Sequence, residues 1–82
     1  IFHSQSINRE GNGIAISFNV NYAGKANIRL IDYDGKQVFN QSDVYINNSY
    51  TLDATNIDYT GIYYLIVETD KITLISKISI NQ

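Results

Sequence analysis

Apolar residues at alternate positions, glycine and aspartate turn signals every ~8 to 12 residues, and no segment with helical periodicity predict an all-β protein. The expected form is an immunoglobulin-like antiparallel β-sandwich of about seven short strands, with a barrel as the alternative. The chain has 82 residues, fewer than the roughly 100 to 150 common for a domain, so residues 1–82 are read as one domain around one core.

Ile1 to Ile7 supplies an opening edge strand. Ile14, Ile16, Phe18, Val20 and Tyr22 then alternate with Ala15, Ser17, Asn19 and Asn21, the period of a half-buried strand. The alternation returns in Ala26, Ile28 and Leu30, and Gly24-Lys25 between the two runs reads as a short hairpin connection. Asp34-Gly35 is the strongest turn signal in the chain, because both residues tolerate the left-handed backbone of a tight turn. It joins the Ala26 to Tyr33 strand to one from Lys36 to Gln41 carrying Val38 and Phe39. Ser42 to Ser49 reads as an exposed crossing despite the alternating Val44 and Ile46, and a short strand follows through Tyr50 and Leu52.

In the corner from Asn56 to Gly61, Ile57 is expected to plug the core while Asp58, Thr60 and Gly61 shape the turn. Ile62 to Thr69 is an almost unbroken apolar and aromatic run, which predicts a central strand covered on both sides. Asp70-Lys71 turns the chain into a last strand, Ile72 to Ile80, with Ile78 and Ile80 on one side and Lys77 and Ser79 on the other. No proline is present, so protection of the sheet edges falls to charges such as Arg29, Lys71 and Lys77.

Composition closes off several chemistries. There is no cysteine, which removes disulfides, thiolate metal sites and cysteine nucleophiles. There is no methionine, so the chain reads as a processed or excised piece of something longer. No run approaches the ~18 apolar residues of a membrane span. A net charge of −2 with scattered lysines offers no basic patch for nucleic acid.

His3 is the only histidine and stands near an end, so no nucleophile and base can be assembled. Asp32-Tyr33-Asp34-Gly35 has the opening of a calcium loop but lacks the distal glutamate, and a hairpin turn accounts for the same residues. Asp53 and Asp58 read as solvated loop acids. The chain is therefore expected to be no enzyme, with no catalytic residue, no metal and no cofactor. Its tyrosines, Tyr22, Tyr33, Tyr45, Tyr50, Tyr59, Tyr63 and Tyr64, leave a glycan-stacking face open.

Four stretches together carry a resemblance: Ala26 to Phe39, Tyr50 to Ala54, Gly61 to Val67, and Lys77 to Ile80. Within them stand Asp32 before the Gly35-Lys36 turn, the Leu52-Asp53 strand, Gly61 and Tyr63 at the entry to the penultimate strand, and Lys77 in the last. In order and spacing these resemble the C-terminal sorting domains of the type IX secretion system of Bacteroidetes, across roughly Gly24 to Ile80. The resemblance implies an exported protein, in the periplasm, at the cell surface or outside the cell. It also implies a protein partner, the secretion machinery or a neighbouring domain, met through an edge strand or a sheet face. The residues it points to for recognition are Gly35, Lys36, Gly61, Tyr63, Lys77, Ile78 and Ile80. The same hairpins also resemble the small secreted sandwich domains of unknown function labelled DUF3244, which implies the fold and export but no activity.

Overall fold

Alternation carries two strands far beyond their expected lengths. The computed structural model describes residues 2–10, 13–54 and 61–80, with side chains over 14–53 and 61–80. It contains β1 (Phe2–Glu10), β2 (Gly13–Asp32), β3 (Gln37–Ala54), β4 (Gly61–Glu68) and β5 (Thr73–Ile80). All pairings are antiparallel and the described residues contain no helix. There are five strands among the described residues, not about seven, because two expected chain breaks are bulges inside longer strands.

The first of these is Gly24-Lys25, which is no hairpin: it lies within β2, opposite Ile46 and Tyr45 of β3. Ile14, Ile16, Phe18 and Val20 share even positions with Ala26, Ile28 and Leu30, so one bent strand keeps them all buried and no reversal is needed. The bend is built from Tyr22, whose hydroxyl donates to the Lys25 carbonyl at 2.8 Å. Gly24 takes φ +149°, and a Cβ there would meet the Tyr22 Oη at 2.7 Å.

The second is Ser42 to Ser49, which is not an exposed crossing but part of β3, with Val44 and Ile46 buried in the core. The strand absorbs the irregularity at Asp43 (φ 58°) and Asn48 (φ 65°), two residue types that tolerate the left-handed region. Asn27 secures the first bulge by accepting the Asp43 backbone N–H on its Oδ1 at 3.1 Å.

The strand order is β1-β2-β4-β5, with β3 also paired to β2. β3 follows β2 along most of its length, whereas the other side of β2 changes neighbour. β1 pairs with Gly13 to Val20, and β4 pairs with Asn27 to Asp32. Arg29 thus lies in a strand paired on both sides and guards no edge. β5 pairs with β4 alone among the described strands. The inward residues of β2, β3, β4 and β5 form one cluster, and β1 touches β5 although the two stand at opposite ends of the order. The radius of gyration is 12.0 Å. His3 lies at a register shift in β1 between Phe2 and Ser4. The expected corner with Ile57 and Asp58 lies outside the described residues.

Candidate recognition surface

β2 ends where Asp32 holds a tight turn. Its backbone N–H donates to the Lys36 carbonyl at 2.9 Å and its carbonyl accepts from the Gly35 N–H at 3.0 Å. Its carboxylate Oδ1 accepts the N–H groups of Asp34 at 3.0 Å and of Lys36 at 2.8 Å. That oxygen is therefore engaged by the turn's own amides, which explains an aspartate at this position without a cation. Gly35 supplies the positive φ, +90°, that closes the loop, and the Lys36 side chain is left exposed.

Register brings the other marked residues to the same end of the sheet. Asp32 pairs with Tyr63, which pairs with Ile78, and Gly61 pairs with Ile80. Gly35 and Lys36 stand just past the end of β2, Gly61 and Tyr63 open β4, and Lys77, Ile78 and Ile80 close β5. The seven residues do not share a face. Tyr63, Ile78 and Ile80 are buried in the core, Tyr63 at 1% exposure, so what they can present outward is backbone. Lys77 points the opposite way, in a row with Tyr64 and Ile31.

The sequence marks Lys77, Tyr64 and Arg29 singly, with no sign of the two outer rows that join them to Ile31, Ile66 and Ile75. Arg29, Ile66 and Ile75 form the adjacent row, with Ile66 at 7% and Ile75 at 63% exposure. The Arg29 Nε approaches the Glu68 Oε1 at 2.9 Å as an ion pair. The signal for Ile75 was available, since it shares odd parity with Lys77 and Ser79, but its company depends on register between distant strands.

Tyr59 lies outside the described residues, and the exposed tyrosines among the described ones form no common platform. Tyr33 follows Asp32, whereas Tyr45 pairs with Lys25, which at the usual rise per residue separates their places along β2 by roughly 25 Å. Tyr50 packs on Phe18 with ring centroids 6.2 Å apart, and Tyr22 is engaged at the β2 bend. An open hollow of about 370 Å³ lies at the far end of the sheet, between Lys25, Asn27, Asp43, Glu68 and Asp70. Of its three acids Glu68 is paired with Arg29, Lys25 lines the same hollow, and among the described residues no group of three or more His, Asp or Glu is arranged to hold a metal ion. Nor does any helix among them have the length and apolarity to cross a membrane.

A search of the curated proteins found no match. Among protein families, the one described as the secretion system C-terminal sorting domain matches residues 11–81, leaving out β1 and taking in β2 to β5 with every marked residue. Membership of such a family implies that the protein carrying the domain is exported. With the match running over most of its length, through the Asp32 turn, the opening of β4 and the close of β5, the chain belongs to the C-terminal sorting domains of the type IX secretion system.

Proposed function

We propose that this domain marks a longer exported protein for passage through the outer membrane, acting as a non-catalytic interaction module that the type IX machinery reads. The observation that carries the reading is β5. It pairs on one side only among the described strands, and it closes beside the residues that carry the family pattern. A strand with one unpaired edge offers backbone N–H and C=O groups to which a partner can add a strand. Ile78 and Ile80 anchor β5 from within while Lys77 faces out, so the edge is held rigid for such an encounter.

The proposed architecture is an immunoglobulin-like sandwich, in which the continuous sheet folds over at the β2 and β3 bulges. The single core cluster and the β1–β5 contact support that layout. A small secreted domain that binds glycan has less support, because the exposed rings of Tyr33 and Tyr45 are far apart.

The test is a fusion of a signal peptide and a fluorescent reporter to all 82 residues, in a type IX-competent bacterium and in a strain lacking the translocon. Reporter outside the competent cells only is the expected result. Retention in the periplasm of both strains refutes the reading. The fusion must keep all of β2, since starting at Gly24 would remove Ile14, Ile16, Phe18 and Val20 from the core.

A further inference from the structure

The two halves of β2 expose opposite kinds of surface. On the outer side of its N-terminal half, Ala15, Ser17 and Asn19 pair with Asp53, Thr51 and Ser49 of β3, and the Ser17 and Thr51 hydroxyls bond at 2.8 Å. No aliphatic side chain larger than alanine stands among these six. On the outer side of its C-terminal half the rows are Arg29–Ile66–Ile75 and Ile31–Tyr64–Lys77. Both surfaces face away from the same core, and both strand patterns are free to be polar there. Toward β3 the Arg29 and Ile31 rows end on the polar Asn40 and Gln37. Across β2, β4 and β5, however, only the second surface carries clustered apolar side chains, with Ile75 left 63% exposed at the β5 edge, and exposed apolar clusters mark protein contact sites.

Charge selects the occupant. Arg29 is neutralised by Glu68 at 2.9 Å, whereas Lys77 is exposed in the Tyr64 row, a cation on a chain of net charge −2. A second copy of the chain docked here through the same face would offer Lys77 only Glu68 as an acid, and that carboxylate is already paired with Arg29. A protein surface with an apolar strip and a carboxylate beside it fits both features.

We propose that the outer face of β2, β4 and β5, centred on Ile75, Tyr64 and Lys77, is the surface on which the export machinery's reader protein docks through apolar residues and an acidic group. This rests on the sorting role and adds to it a side-chain contact face next to the β5 edge. A sorting domain must present its reader with a surface of its own, and this face joins an exposed isoleucine, Ile75, to the apolar side chains of Ile66, Tyr64 and Ile31 on the two neighbouring strands.

The experiment uses the same full-length reporter fusion with Ile75→Glu, Lys77→Glu and, on the polar face, Ser49→Glu. All three positions are exposed, so circular dichroism and thermal unfolding of the purified chains are expected to match wild type, and Ile75→Ser stands in should Ile75→Glu misfold. The secreted fraction is expected to fall at least about tenfold for Ile75→Glu and Lys77→Glu, because each places an ionised carboxylate against an apolar or acidic partner. Ser49→Glu is expected to be secreted like wild type. Folded Ile75 and Lys77 variants that are secreted normally overturn the docking face while leaving the sorting role standing. A wild-type fusion that stays in the periplasm overturns the sorting role itself. A chain that sediments as a dimer at micromolar concentration and becomes monomeric with Ile75→Glu assigns the face to a second copy and also overturns the proposal.

Discussion

Asp32 separates two explanations of one residue: a structural cap for its own turn, or a charge offered to a partner. Its Oδ1 accepts two backbone N–H groups, from Asp34 and Lys36, at an exposed turn. At about 0.5 to 1.5 kcal/mol net per hydrogen bond, Asp32→Ala is expected to cost roughly 1 to 2 kcal/mol after solvent takes up part of the loss. Against a total stability on the order of 4 to 12 kcal/mol for a chain this size, that is a large share. It corresponds to a drop in Tm of roughly 5 to 15 °C. Asp32→Asn retains an oxygen in the same place with weaker acceptance, and is expected to recover at least half of the loss. Urea and thermal unfolding followed by circular dichroism measure the series, and the reporter fusion measures export in parallel. The structural account predicts that the Asn variant regains at least half of the stability lost in the Ala variant and is exported. An Asp32→Ala variant within about 0.3 kcal/mol of wild type would refute the capping role, and a stable but unexported Asn variant would show that the charge itself is read.

Two further outcomes follow from the packing. Gly24→Ala is expected to cost about 2 to 4 kcal/mol, from a backbone conformation that side chains rarely adopt and from displacing the Tyr22 hydroxyl from Lys25. Part of that cost should vanish in a Tyr22→Ala background, so a double-mutant cycle with no coupling would argue against the bulge. Ile80→Ala is expected to destabilise by about 2 to 5 kcal/mol and Ile75→Ala by under about 0.5 kcal/mol, since one side chain is buried and the other exposed on the same strand. Equal losses in urea unfolding would mean that the β5 register is wrong.

Several features of the site can be read locally, because their causes are local. The Asp34-Gly35 turn needs only left-handed tolerance and a side chain able to bond nearby amides, and Asp32 supplies the latter within four residues. Parity alone puts Ile78 and Ile80 on one side of β5 and Lys77 on the other, and it singles out Val44 and Ile46, whose alternation fits the burial they have in β3. The gathering of Gly35, Lys36, Gly61, Tyr63, Lys77, Ile78 and Ile80 at one end of the sheet has no local signature.

What the amino-acid order determines by itself is therefore the strand character of the chain, the inward and outward sides of each strand, the main turn and the family pattern. Whether Gly24, Asp43 and Asn48 reverse the chain or bulge it was decided by tertiary structure, because a glycine, aspartate or asparagine in the left-handed region serves either purpose equally well. The same holds for which strand lies beside which. Arg29 meets Glu68, Ile66 meets Ile75, and Tyr64 meets Lys77 only through registers set between segments far apart in sequence, fixed by burying one shared core.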